Sequence, residues 1–90
     1  MPYVVYMLRF SDNSLYIGQT NDLQGRLKDH LYGASKAAKF TKDHGNFELA
    51  YQERYDSRAE AMRREEQLKR WTRAKKEALI AGDKELLKKL

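Results

Sequence analysis

An almost continuous apolar and aromatic run, YVVYMLRF, occupies residues 3–10. Its length and its β-branched Val4 and Val5 favour a strand, and the lack of polar alternation indicates burial on both faces. A chain of 90 residues buries only one modest core. The run therefore predicts the central strand of a single domain over 1–90, with a core of about 3–80 and a helical extension over 81–90.

Turn and capping residues divide the rest of the chain. Thr20 to Asp22 are N-cap types, and Ser57 with Glu60 forms a capping box. These signals predict, in order, a turn over 11–14, a strand from Leu15 to Gly18, a helix from about Asp22 to Tyr32 and a polar connection over 34–46. Within that connection, whose structure stays open, Ala37, Ala38 and Phe40 suggest a short helical turn. A strand over 47–55, a helix over 57–70, and two further helices that begin at Thr72 and Lys84 follow. The order predicts an α+β fold, with a small three-stranded antiparallel sheet flanked by helices.

Strand alternation predicts which side chains share a face. Phe47, Leu49 and Tyr51 alternate with polar residues, which predicts that all three lie on one face of the third strand. In a hairpin, the residue numbers of two cross-strand partners always add up to the same sum. Tyr6 and Tyr16 can share a face of the first hairpin only if that sum is even. The hairpin loop must then contain three or five residues, or the hairpin must contain a bulge.

Leucine spacing gives the orientation of the first helix. Leu23, Leu27 and Leu31 recur every four residues and predict its buried stripe. Arg26 and His30, one turn apart, then lie together on the flank of that stripe. This flank is therefore a candidate location for catalytic residues.

A carboxylate falls on the predicted inward side of the helix over 57–70. Ala61, Met62 and Leu68 define the stripe, and Glu65 lies among them. An ionised carboxylate there needs compensation. Lys69, four residues later, is one candidate partner, and a metal ion or an arginine at the rim of the core is the other.

The charge distribution favours a polyanionic partner. The net charge is +5, and residues 57–90 contain eleven Lys and Arg against six Asp and Glu, whereas residues 1–56 contain seven of each. A basic helical segment is typical of nucleic-acid binders, although a solvated helix surface has the same composition. Cysteine is absent, and the sequence lacks a long apolar run, so we expect a reduced, cytoplasmic protein without membrane contact. A monomer is the default expectation.

Taken one at a time, the candidate residues have ordinary explanations. A strand tyrosine such as Tyr6 or Tyr16 is commonly a core aromatic. Asp22 lies four residues before Arg26 and could form a surface ion pair with it. His30 near a helix C-terminus is favoured by the helix dipole alone. Only their combination points to a site.

That combination resembles the signature of the GIY-YIG nucleases, in particular the small stand-alone bacterial members related to the UvrC-type nuclease domain. The matching positions are Val4-Val5-Tyr6, Tyr16-Ile17-Gly18, Thr20, Arg26, His30, Glu65, Leu68 to Trp71, Lys76 and Leu79-Ile80. The similarity extends from Tyr3 to about Ile80. Val4 and Val5 replace the first two residues of the GIY triplet, and Tyr6 retains the third.

The resemblance implies an endonuclease that hydrolyses DNA phosphodiester bonds with one divalent cation, Mg²⁺ or Mn²⁺. The catalytic residues it implies are Tyr6, Tyr16, Arg26, His30 and Glu65. Glu65 would hold the metal, because a single carboxylate with waters and phosphate suits Mg²⁺. Arg26 would bind the scissile phosphate. Gly18 has no side chain and would leave room beside that phosphate, although a glycine at a strand end is also common. A phenol is a poor base at neutral pH, so Tyr6 needs nearby positive charge to lower its pKa.

Three functions remain open at this stage. The first is a structure-specific or weakly sequence-specific endonuclease, and the second is a noncatalytic nucleic-acid binding module of the same fold. The third is a small interaction protein with solvated basic helices. The expected nucleic-acid contacts are Arg26, Lys39, Lys42, Arg63, Arg64, Lys69, Arg70, Arg73, Lys75 and Lys76.

Overall fold

A computed structural model describes residues 2–33 and 35–90. Met1, within the predicted domain, and Ala34, at the start of the predicted connection, lie outside the described residues. The elements are β1 (Tyr3–Phe10), β2 (Leu15–Thr20), α1 (Leu23–Tyr32), α2 (Lys36–His44), β3 (Phe47–Tyr55), α3 (Arg58–Lys69), α4 (Arg73–Ala81) and α5 (Lys84–Lys89).

β1 is the middle strand of an antiparallel sheet of order β2-β1-β3. Val5 and Met7 are fully buried on one face, where α3 and α4 pack. Tyr6 and Leu8 are buried on the other face, beneath α1 and α2. The predicted α+β fold and the predicted central strand, covered on both faces, are confirmed.

The β1–β2 hairpin has the predicted parity. Tyr6 pairs with Gly18 and Leu8 pairs with Tyr16, so both tyrosines lie on the α1/α2 face. Phe10 N donates to Ser14 O at 3.0 Å, which closes a loop of three residues, 11–13. Asn13 ends that loop at φ 71°, a left-handed conformation that asparagine tolerates.

A bulge in β3 overturns the predicted grouping of its apolar residues. Leu8 pairs with Leu49 and Met7 pairs with Tyr51, so Ala50 is an extra residue between them. The extra residue reverses the alternation. Phe47 therefore packs in the α1/α2 core, and Tyr51 packs in the α3/α4 core.

The prediction for α1 was wrong in its last turn. Leu31 is 50% exposed, whereas His30 is 1% exposed. At about 100° per residue, a position four residues on advances by about 40°, so the leucine row drifts away from the core. His30 takes the inward place beside Leu23 and Leu27 and is not on the flank.

In α3, Met62 was wrongly predicted as buried. It is 41% exposed, while Ala61 and Leu68 are fully buried. Met62 lies about 100° around the helix from Ala61, too far to share the stripe that Ala61 forms with Leu68.

The predicted polar connection contains a helix. Ser35 accepts a hydrogen bond from Ala38 N and caps α2, which buries Ala37, Ala38 and Thr41 against the sheet. α2 thereby covers the part of the α1/α2 face next to His30. No helix among residues 2–33 and 35–90 is long and apolar enough to cross a membrane.

Candidate active site

Two phenols and an imidazole contact one another on the α1/α2 face. The Tyr6 and Tyr16 ring centroids are 6.3 Å apart, and the Tyr16 and His30 rings meet edge to face at 4.8 Å. The Tyr6 hydroxyl lies 3.0 Å from His30 Nε2. The structure thus brings these three predicted site residues together, and Phe40 and Phe47 pack around them.

The surroundings of His30 define its tautomer. Nδ1 lies 3.1 Å from Thr41 Oγ1, and the Thr41 hydroxyl donates to the Ala37 carbonyl. Because Thr41 uses its proton on that carbonyl, its oxygen accepts from Nδ1–H. Nε2 therefore has a free lone pair, and the Tyr6 hydroxyl donates to it.

Burial keeps all three groups neutral. It raises the pKa of Tyr6 well above its ordinary value, more than the charge of Arg26 lowers it. Burial also raises the pKa of Tyr16 and lowers that of His30. Arg26 lowers the pKa of Tyr6 as expected, but desolvation raises it by more, so the net shift in the resting protein is upward.

Charged side chains from α1 and α3 surround this aromatic group. Arg26, Asp29 and Glu65 all contribute to the electrostatic field at both phenols, and Lys69 acts on Tyr16. α3 packs against both β1 and β2. The structure thus brings Tyr6, Tyr16 and His30 into contact. Arg26 and Glu65 influence the phenols through their charges, and Glu65 does so from α3, which packs on the other face of the sheet.

Arg26 is available for an anionic ligand. The proposed ion pair with Asp22 was wrong: Asp22 instead caps α1 by accepting from Gly25 N. Within the described part of the chain, the Arg26 guanidinium has no acidic partner. It is half-buried beside a polar cleft at the end of β2.

Glu65 has the lysine partner that its position required. Its side chain is 19% exposed, and Oε2 lies 2.8 Å from Lys69 Nζ. Among the described residues, no three His, Cys, Asp or Glu side chains form a metal cluster. Glu65 Oε1 has no hydrogen bond to any described residue, so the donor set fits one cation that keeps most of its waters, as Mg²⁺ does.

The predicted nucleic-acid contacts differ in availability. Arg64 is bound to Glu53 at 2.6 Å and lies over Trp71, and Arg73 is bound to Glu77. Lys75 lies 4.3 Å from the centre of the Trp71 ring. The remaining predicted cations on α2, α3 and the turn after it have exposed side chains: Lys39, Lys42, Arg63 and Arg70. Lys76, on α4, is half-buried.

The sequence interpretation missed Thr41 and assigned Gly18 a different purpose. Thr41 was part of the connection whose structure stayed open, although its spacing from Ala37 and Ala38 is that of a helix face. A Cβ added at Gly18 would lie 2.6 Å from the Tyr6 hydroxyl oxygen. Gly18 therefore makes room for the Tyr6 ring, where room for a phosphate had been expected.

The match to a known domain family gives the class of this domain. The GIY-YIG catalytic domain matches residues 2–78. The chain therefore belongs to the GIY-YIG family, a family of nucleases whose members typically use divalent metals and act on nucleic acid.

Small proteins of similar length are similar to it in sequence. The chain is 40% identical over 81 residues to a UPF0213 protein of Natronomonas pharaonis, covering 90% of this chain and 93% of that one. It is 47% identical over 75 residues to a UPF0213 protein of Bacillus pumilus, covering 83% of this chain and 74% of that one. A UPF0213 protein of Bacillus halodurans, solved by NMR in solution, is 41% identical with a TM-score of 0.58, covering 90% and 84%.

Proposed function

We propose that this protein is a metal-dependent endonuclease that hydrolyses phosphodiester bonds of DNA with structural or weak sequence preference. The observation that supports this most is the contact of two phenols with a neutral histidine, at a place where the charges of Arg26 and Glu65 act on both phenols. The family match over 2–78 supports a single catalytic unit, with 81–90 as an extension. We further propose a cytoplasmic location, because the chain has no cysteine.

We propose the Tyr6–His30 pair as the proton acceptor. As water attacks phosphorus, the bond from phosphorus to the leaving nucleotide oxygen breaks, and that oxygen takes a proton from solvent. The proton of the attacking water passes to the Tyr6 oxygen while the Tyr6 proton passes to His30 Nε2 across the 3.0 Å hydrogen bond. Tyr6 thus remains neutral, so its raised pKa does not prevent the transfer. Thr41 positions the imidazole in the accepting tautomer.

The other residues act on the phosphate. Arg26 binds the scissile phosphate and offsets the charge that develops there, because its guanidinium has no acidic partner among the described residues. Tyr16 is more exposed than Tyr6 and orients water or phosphate through its hydroxyl. Glu65 would hold one Mg²⁺ or Mn²⁺, which as a Lewis acid would polarise the phosphate when bound.

The test is cleavage of labelled duplex, flap and single-stranded DNA with Mg²⁺, Mn²⁺ or EDTA. We expect metal-dependent products, with losses of at least about 100-fold in Arg26→Ala and Glu65→Gln. Lys84→Ala, an exposed lysine of α5, is the control and should cleave normally. Equal activity in all four proteins would show that a contaminant cuts the DNA.

A noncatalytic nucleic-acid binding module is the second candidate. The ion pair of Glu65 with Lys69 favours it, because a bound lysine competes with a cation for the same carboxylate. That function predicts salt-sensitive DNA binding with no product under any metal condition. Lys69→Ala separates the two, since it should increase cleavage at low metal concentration in an enzyme and only weaken binding in a binding module.

A further inference from the structure

A polar cleft of about 260 Å³ lies where β2 ends and α1 begins. Its lining residues come from both strands of the hairpin, from the loop before α1, from α1 and from the first turn of α3. They are Tyr3, Gln19, Thr20, Asn21, Arg26 and Arg58. Arg26 already belongs to the candidate active site, so the cleft continues that site along the molecule.

The cleft is lined by hydrogen-bond donors and by no acidic side chain. Two guanidiniums face it, and within residues 2–33 and 35–90 neither Arg26 nor Arg58 has a carboxylate partner. The Thr20 hydroxyl is used by the backbone of Asp22, but the Tyr3 hydroxyl and the Gln19 amide make no hydrogen bond to described residues. Such a donor set suits a phosphate oxyanion.

The position of Arg58 on α3 places it in line with Glu65. The two residues are seven apart, so both lie on the same side of the helix, separated by about 10 Å along its axis. Phosphates along one strand of duplex DNA rise about 3.4 Å per step. That rise is measured along the duplex axis, and neighbouring phosphates of one strand are about twice as far apart through space, so the distance between Arg58 and Glu65 spans about one to two phosphate intervals.

We propose that Arg58 forms a second phosphate subsite in this cleft, which holds the cleaved strand one or two phosphates away from the scissile phosphate that Arg26 binds. This inference depends on the proposed function for the identity of the strand. Arg58 lies away from the reacting atoms, so it contributes to binding and register, and the chemical step depends on Arg26. A free inorganic phosphate has the same oxyanion chemistry and is the alternative occupant that an experiment must separate.

The first experiment measures binding in EDTA, without any requirement for cleavage. Fluorescence anisotropy of a labelled duplex is recorded at several KCl concentrations for wild type, Arg58→Ala and Arg58→Gln. We expect affinity to fall about fivefold to tenfold at low salt, and the log–log salt slope to decrease by about one. Arg54→Ala, an exposed arginine on the opposite edge strand β3, is the charge-matched control and should keep the wild-type slope.

The second experiment locates the phosphate. Single methylphosphonate groups, which lack the charge, are placed at successive positions on either side of the cleavage point. One position, one or two phosphates away, should weaken wild-type binding as much as Arg58→Ala does, and should weaken that variant no further. In cleavage assays Arg58→Ala should raise KM with kcat unchanged, whereas Arg26→Ala should lower kcat.

These outcomes distinguish the two proposals. Weaker binding of the Arg58 variants by a protein that never cleaves DNA would refute the hydrolase and support the subsite. Active protein with unchanged Kd, KM and salt slope in both Arg58 variants would overturn the subsite alone. The subsite would also be overturned if millimolar inorganic phosphate shifted the Arg58 Nε–H NMR signal to a plateau while no methylphosphonate position weakened DNA binding. The cleft would then bind a free ion.

Discussion

Replacing Gly18 by alanine tests how the strand pair positions the Tyr6 phenol. The new Cβ would lie 2.6 Å from the Tyr6 hydroxyl oxygen and 2.7 Å from Cζ. Ordinary contact begins at 3.4 Å, so the ring must move by about 0.8 Å. Tyr6 is 1% exposed and is hydrogen-bonded to His30, so the ring has little space in which to move.

The magnitude follows from three effects. Overpacking a buried position costs about 1–3 kcal/mol. Stretching the 3.0 Å bond from Tyr6 to His30 costs about 1 kcal/mol more. Alanine is favoured over glycine in a strand by about 0.5–1 kcal/mol, which offsets part of the loss. We therefore expect the free energy of unfolding to fall by about 1–3 kcal/mol.

Urea denaturation measures the loss, and ¹⁵N NMR of the imidazole reports the bond at His30 Nε2. Gly82→Ala is the control, because a Cβ there meets nothing within 4 Å although φ is 71°. It should cost about 1 kcal/mol through backbone strain and leave the His30 signals unchanged. Wild-type stability and unchanged imidazole shifts in Gly18→Ala would refute the account of why residue 18 is glycine.

Three further predictions concern stability. Hydrogen bonds from Arg9 lower the pKa of Glu77 from 4.5 to about 2. At pH 7, Glu77→Gln should therefore lower the free energy of unfolding, measured by urea titration, by about 0.2–1 kcal/mol. The difference between wild type and variant should disappear as the pH falls from 4.5 to about 2. Burial lowers the pKa of His30 below 6.5, so the unfolded chain protonates first, and the stability advantage of wild type over His30→Gln should shrink between pH 7 and pH 5. Asn13→Val should cost about 1–2 kcal/mol by thermal unfolding, because φ is 71°, and Asn13→Gly should be nearly neutral.

Sequence patterns predicted the elements better than they predicted which side of each element is buried. β1 and β3 have the predicted bounds, and the caps at Ser57 and Thr72 start α3 and α4. The hairpin loop of three residues is one of the alternatives that parity allowed on the assumption that Tyr6 and Tyr16 share a face. These features depend on the conformational preferences of neighbouring residues, which can be read from a single sequence.

The errors arose where burial depends on tertiary packing. A bulge at Ala50 has no local sequence signal, since it is defined only by the pairing of β3 with β1. Leu31 and Met62 are exposed because a helix buries a stripe whose centre is set by the neighbouring elements. His30 occupies the inward place in α1 because Tyr6 and Thr41, from two other elements, satisfy both ring nitrogens.

Convergence of the site required information that spacing alone could not supply. Each candidate had an ordinary explanation, and the structure removes two of them: Arg26 is not bound to Asp22, and His30 is a buried residue with defined partners. The lysine partner expected for Glu65 is present. The evidence for chemistry is therefore strongest on the face of β1 that packs under α1 and α2.

This arrangement makes one core serve both folding and chemistry. β1 directs alternate residues to opposite faces, so Met7 packs against α3 while Tyr6 packs beneath α1. The Tyr6 ring belongs to a hydrophobic cluster, yet its hydroxyl ends a polar chain through His30 and Thr41 to the Ala37 carbonyl. Changes to this polar chain of side chains should alter stability and activity together. Replacing Arg58, the exposed cation of the cleft, should alter binding alone, because it lies outside both cores.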